Sequence, residues 1–193
     1  PISPITYFDA SKFKTQFACE LKNFNVEEFI DRKEARKMDR YAQYAMVSSE
    51  EAMKDANFDL DKLDKDRAGV IWGSGIGGLE TFQIEVLNFA AGDGTPKFNP
   101  FFIPKMIGDI ACGHISIKYG FRGPNFGTVS ACASSTNAII DAFNYIRLGH
   151  ADVMVTGGSE AAVTIAGMFA VFHVGERLFH PCGEQHVLQS WLH

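Results

Sequence analysis

Long apolar runs are missing from this 193-residue chain, and no stretch approaches the roughly 18 consecutive apolar residues that a membrane-spanning helix needs. Basic residues are in deficit. Eighteen Lys+Arg face 23 Asp+Glu, a net charge of −5, the wrong sign for a protein that binds nucleic acid along its phosphates. Cysteine is sparse: Cys19, Cys112, Cys132 and Cys182 lack framework spacing, which excludes a disulfide scaffold and fits a reducing, cytoplasmic setting. The opening, Pro1 to Ala10, has neither the charged start nor the apolar run of a secretory signal. It also has no initiator Met, so the chain is read as processed or as a piece of a longer one. Internal repeats and low-complexity tracts are absent. What is present is an ordinary globular balance, 46% hydrophobic and 21% charged residues, enough for one large domain.

Periodicity supplies the elements. The spacing of Ala35, Met38, Ala42, Ala45, Met46, Ala52, Met53 and Ala56 predicts a helix over 33–56, ended at Asn57. A strand is expected near 15–21, and the apolar run 68–72 reads as a buried strand. Gly73-Ser-Gly-Ile-Gly-Gly78 closes that strand and leads to a helix over 79–90. Three prolines and two glycines make 92–104 a loop, with a helix over 105–119 beyond it. A strand over 126–131, an amphipathic helix over 134–148 and a strand over 151–156 have the lengths of a βαβ crossover, whose strands are parallel and whose connection is right-handed.

Several places could carry chemistry. Gly73, Gly75 and Gly78 have dinucleotide-loop spacing after a strand, but the acidic residue such a fingerprint needs falls in a Gly/Pro loop. A tight turn beside another backbone explains the same glycines. Cys112 and His114, or the tail's His173, His180, Cys182 and His186, lack the paired spacing of a zinc site. Cys132, in Ser130-Ala-Cys-Ala-Ser134, stands between strand and helix among small neighbours that permit a sharp turn. The helix start would aim amide groups at the sulfur, favouring thiolate and offering an oxyanion site; a small buried cysteine is the alternative. Arg32, Lys33, Arg36, Lys37 and Arg40 form either a solvated helix face or a dock for an anionic partner. Seventeen Phe serve core packing or an apolar tunnel.

Six motifs in order give these segments a common identity: Arg32-Lys-Glu-Ala-Arg-Lys-Met-Asp39, Gly73-Ser-Gly-Ile-Gly-Gly-Leu79, Asn99-Pro-Phe-Phe-Ile-Pro104, Tyr119-Gly-Phe-Arg-Gly-Pro124, Val129-Ser-Ala-Cys-Ala-Ser-Ser135 and Ala151-Asp-Val-Met-Val-Thr-Gly-Gly-Ser-Glu160. Together they resemble the elongating β-ketoacyl-[acyl-carrier-protein] synthases of bacterial fatty-acid synthesis. The resemblance implies an α/β, thiolase-like fold in its N-terminal half, a mixed sheet covered by helices. It implies a decarboxylative Claisen condensation between an acyl thioester and malonyl-acyl-carrier protein, through an acyl-Cys intermediate and without metal or cofactor. Cys132 then matches the nucleophile, its own N–H an oxyanion donor. Ile76 matches the gate of the acyl pocket and Phe102 a pocket residue reaching across a homodimer interface. Lys33, Arg36 and Lys37, with Lys97, match the patch that grips the acidic acyl carrier protein. Neither nucleic acid nor membrane is an expected partner.

The likeness covers residues 1–167. The family's first strand, before the position of Pro1, and its second half, with two histidines, a lysine and the other oxyanion donor, find no match. Residues 168–193 hold four of the six histidines and three charged residues, and read as a divergent tail of frameshifted or chimeric origin. A polyketide-type ketosynthase, or a non-catalytic carrier-binding fragment, would share the same motifs.

Overall fold

A computed structural model describes residues 2–57 and 59–169, and these fall into two compact units, residues 2–20 with 163–169 and residues 21–162. The tail from residue 170, with its histidines and Cys182, lies outside the described residues. In the smaller unit β1 (Ser3–Pro4) pairs antiparallel with β2 (Phe17–Ala18), a shorter strand than the expected 15–21. The Glu20 carboxylate ties this ribbon by accepting from the Thr6 N–H (2.7 Å) and hydroxyl (2.7 Å).

The larger unit is organised by β3 (Ala68–Gly73), buried over its whole length. β4 (Asn125–Thr128) and β5 (Val153–Gly158) flank it in the order β4-β3-β5, both parallel to it. A parallel strand covered on both faces needs a continuous apolar run, which Ala-Gly-Val-Ile-Trp-Gly supplies. Its side chains alternate between two cores. Val70 and Trp72 join Tyr41, Ala42, Ala45, Met46, Ala111, Cys112 and Ile115 beneath α2 (Arg40–Ala56) and α5 (Ile110–Tyr119), while Ile71 meets Ala138 and Ala142 of α6 (Ser134–Arg147) on the other face. α6 carries the chain from β4 to β5, so the expected parallel crossover is present, with β3 lying between its two strands. Parallel and antiparallel pairings thus both occur, in separate sheets.

Local chemistry redraws three boundaries. The helix expected over 33–56 is two, α1 (Arg32–Ala35) and α2, because Asp39 caps α2 by accepting from the Tyr41 N–H (3.1 Å). Its other carboxylate oxygen is held by the Thr81 N–H (3.0 Å) and hydroxyl (2.6 Å) at the start of α3 (Leu79–Ala91). Asn57 ends α2 with φ 50°, the left-handed stop its identity favours. The helix expected over 105–119 likewise begins as a separate α4 (Phe102–Met106) inside the proline-rich segment. Pro104 falls in the first turn of α4, where a missing N–H costs nothing. β4 stops at Thr128 instead of 131, because the chain leaves the sheet for the turn described next. Among the described residues no helix is long and apolar enough to cross a membrane.

Candidate active site

The turn between β4 and α6 reverses direction within a few residues. Ser130 is followed by Ala131 at φ 49°, a left-handed conformation that costs a non-glycine residue about 1–2 kcal/mol. A single 3-10 turn, Ala131–Ala133, then runs directly into α6. Cys132 is the middle residue of that turn and is exposed. The strain is held by Ser134, whose hydroxyl accepts from the Ser130 N–H (2.8 Å) and donates to the Ala131 carbonyl (2.7 Å). The Asn137 amide adds a bond to the Ser130 hydroxyl (2.7 Å). No side-chain hydrogen bond caps the start of α6 at Ala133; the Ala133 and Ser134 N–H groups are taken up by the Ser130 and Ala131 carbonyls, and the positive end of the helix dipole lies at the Cys132 turn.

Glycines let two strand ends and the glycine loop close around this turn. A Cβ on Gly73 would lie 2.4 Å from the Ser134 carbonyl carbon, and one on Gly158 would lie 2.6 Å from Ser135 Cβ. A Cβ on Gly75 would sit 3.5 Å from the Cα and carbonyl oxygen of Ala131, so the glycine loop runs alongside the residue before Cys132. At Gly77 (φ 80°) and Gly78 the close neighbours are Met106 and Lys105 backbone, and the Gly78 N–H donates to the Met106 carbonyl (2.9 Å). The surfaces a pyrophosphate would approach are therefore filled by protein backbone. The tight-turn reading of these glycines is the one the geometry supports.

Ile76 sits on this loop, half exposed. Its N–H and that of Gly75 both donate to one oxygen of Glu160, at 3.0 and 2.7 Å. Phe102 lies at the start of α4, stacked on Phe98 (5.6 Å between centroids) and Phe82 (6.3 Å), with Phe89 extending the row. Phe82, Phe89 and Phe98 are all exposed. The structure thus sets the glycine loop that carries Ile76 beside Ala131, the residue before Cys132, whereas Phe102 belongs to an adjoining aromatic row whose helix ends against the glycine loop.

The basic residues divide by their partners. Lys37 is paired with Glu34 (2.6 Å), Arg32 with Glu27 (3.3 Å) and Arg40 with Glu80 (3.4 Å). Lys33 and Arg36 are exposed, and among the described residues neither has an ion-pair partner. Lys97 is exposed on the loop between α3 and α4. A count of charge treats these cations alike, whereas the structure leaves Lys33, Arg36 and Lys97 without an ion-pair partner among the described residues.

Cys112 is the opposite of Cys132. It is fully buried, its thiol donates to the Phe126 carbonyl (3.1 Å), and burial pushes its pKa up to about 11. Nearby His114 is half-buried, which lowers its pKa. Ser134, Ser159 and Glu160 carry no role in the sequence reading, although the last two close the motif that runs from Ala151 to Glu160. Ser159 takes a hydrogen bond from the Trp72 indole (2.9 Å) and gives one to the Tyr41 carbonyl (2.8 Å).

Comparison with known proteins places the chain in a family. Residues 5–189 match the family model described as β-ketoacyl synthase, N-terminal domain. The chain is 49% identical over 172 residues to a 3-oxoacyl-[acyl-carrier-protein] synthase 2 of Staphylococcus aureus, covering 88% of this chain and 42% of that protein. It therefore spans less than half the length of the curated relatives it matches. A solved β-ketoacyl synthase from Burkholderia phymatum superimposes with a TM-score of 0.73 at 26% identity, over 89% of this chain and 42% of the other. A type II polyketide ketosynthase, solved with its acyl-carrier protein and a hexaketide, gives a TM-score of 0.73 at 27% identity over 78% and 43%. The fold is that of the ketosynthases, in its N-terminal half.

Proposed function

Because the chain belongs to the β-ketoacyl synthase family, whose N-terminal domain it carries, we propose that it supplies the acyl-accepting half of a condensing enzyme of fatty-acid elongation. The observation that carries this reading is the exposed Cys132 sulfur on a strained turn directly ahead of α6. The Cys132 thiolate attacks the carbonyl carbon of an acyl-carrier thioester, the carrier leaves as its thiol, and the acyl group stays on sulfur. The N–H of Cys132 and the uncapped start of α6 stabilise the oxyanion formed on the way. In the complete enzyme, malonyl carrier then loses CO₂. The resulting enolate carbon attacks the acyl-Cys carbonyl and expels the thiolate, lengthening the chain by two carbons. Covalent capture divides one difficult condensation into two easier steps.

Ile76 bounds the acyl chain near the sulfur, and Phe102 with its aromatic row lines the far end at a homodimer interface. Lys33, Arg36 and Lys97, with the paired Lys37 contributing less, dock the acidic acyl carrier protein in the cytoplasm. The fatty-acid assignment is favoured over a polyketide one because identity to the fatty-acid relative is 49% against 27% for the polyketide enzyme. The test is the transfer itself: mix the chain with an acyl-carrier thioester, then follow the free carrier thiol and the gain of one acyl mass. Lys33→Glu with Arg36→Glu is expected to weaken carrier binding by about tenfold or more at low salt, with the loss shrinking as salt screens it. Lys37→Glu alone costs less, its charge being already spent on Glu34. Carrier affinity unchanged by the double reversal would remove the docking role. Carrier binding without acyl transfer would mark a non-catalytic carrier-binding domain.

A further inference from the structure

The end of the β3–β5 ladder has an unusual closure. Beyond Gly73 and Gly158 the two strands stop pairing, yet their continuations stay joined. The Ser159 N–H donates to the Gly73 carbonyl (3.1 Å), and the Ser159 hydroxyl takes the Trp72 indole N–H. One residue on, a side chain replaces the backbone as acceptor: Glu160 Oε2 receives the N–H groups of both Gly75 and Ile76. The same oxygen would lie 3.1 Å from a Cβ on Gly75, while Ala131 closes the other side at 3.5 Å. The loop that carries Ile76 is thus clamped between a carboxylate and the residue preceding Cys132. Two amides converging on a single carboxylate oxygen are charge-assisted and stronger than ordinary loop bonds. The next two residues are held separately, the Gly77 N–H on the Ser74 hydroxyl (3.0 Å) and the Gly78 N–H on the Met106 carbonyl (2.9 Å), which leaves Glu160 as the acceptor for Gly75 and Ile76.

We infer that Glu160 is a positioning residue: it fixes the Gly75–Ile76 turn and thereby sets which acyl chain lengths Cys132 accepts. The inference rests on the reading of Cys132 as acyl acceptor and of Ile76 as a wall of the acyl site. Glu160 itself touches no reacting atom. With the clamp removed, the half-exposed Ile76 is free to move relative to the turn, and the space beyond the sulfur changes length while the sulfur's own setting, held by Ser134, stays.

Three readouts on the chain test this. In Glu160→Ala the amides of Gly75 and Ile76 should exchange with solvent about tenfold faster by NMR, the loss of one charge-assisted bond each. The relative rates at which Cys132 takes short and long acyl groups from their thioesters should shift by about tenfold, the scale of a changed methylene contact. Alkylation of Cys132 by iodoacetamide should stay within about twofold, because the turn keeps its own hydrogen bonds. Glu160→Gln retains an oxygen acceptor and should restore both exchange and chain-length profile. Glu160→Asp, one methylene short, guards against a misfolded alanine variant and should shift the profile in the same direction. Amides no faster in Glu160→Ala overturn the inference. So do released amides with an unchanged profile, or Glu160→Gln behaving like Glu160→Ala. A wild-type chain that takes no acyl group from any thioester overturns the parent reading and this one together. Normal wild-type acylation beside an unshifted Glu160→Ala profile overturns this one alone.

Discussion

Cys132→Ala is expected to lower acyl uptake from an acyl-carrier thioester by at least about 10³-fold, because the atom that forms the new bond is gone. Cys19 is exposed directly after the short strand β2, and Cys112 is sealed under β3 with its thiol hydrogen-bonded and its pKa raised to about 11. Cys132→Ser should lose uptake almost as fully, since a hydroxyl without an adjacent base is a poor nucleophile. Neither change should move stability by more than about 0.5 kcal/mol, because the side chain is exposed and fills no core space. Intact-mass measurement after a fixed incubation, beside a thermal melt, separates loss of chemistry from loss of fold. An alanine variant that gains acyl mass at the wild-type rate would assign the chemistry elsewhere.

Gly73→Ala carries a large structural penalty. Its new Cβ would fall 2.4 Å from the Ser134 carbonyl carbon, 2.5 Å from its oxygen and 2.6 Å from the Ser135 nitrogen. These are backbone atoms at the head of α6, so no rotamer change relieves the clash, and either β3 or α6 must move. Overpacking of this kind is expected to cost about 3 kcal/mol, near the upper end of its usual range. For a chain of this size that lowers Tm by about 10 °C. The displacement lies at the residues that hold the Cys132 turn, so acyl uptake should fall with stability. Gly108→Ala is the control. Nothing lies within 4 Å of its added Cβ, and a change within about 0.5 kcal/mol is expected. Equal melts for the two variants would show that the strand end does not pack on α6 as described.

The parts legible in the sequence are those governed by one local pattern. The all-apolar β3 and the 3.6-residue stripe of α2 needed no distant information, and neither did the strand–helix–strand lengths around α6. The elbow at Cys132 was legible as a place, from small residues between strand and helix. Its strain was not, because Ala131 adopts φ 49° through bonds that Ser134 makes around it, and nothing in the letter Ala announces this. The break at 36–39 depends on Asp39 meeting Thr81, 42 residues away, so periodicity ran through it. α4 was hidden by the ambiguity of proline, a loop signal that is also at home in a first helical turn. Glu160 lay within a motif that was noticed, but its partners Gly75 and Ile76 come 84 to 85 residues earlier and use backbone N–H groups, which leave no trace in residue type. The basic run was visible as charge, while its division into paired and free cations required the positions of Glu27, Glu34 and Glu80.

The central claim is that one sulfur, at a strained turn ahead of a helix, is set apart from the others as a nucleophile. Residue-resolved alkylation of the native chain by limiting iodoacetamide measures this without substrate, carrier or any further domain. The expected order is Cys132 fastest, exposed Cys19 slower by about tenfold for want of a helix start behind it, and buried Cys112 unreactive until the chain unfolds. Cys132 labelling no faster than Cys19, with the fold intact, would contradict the claim.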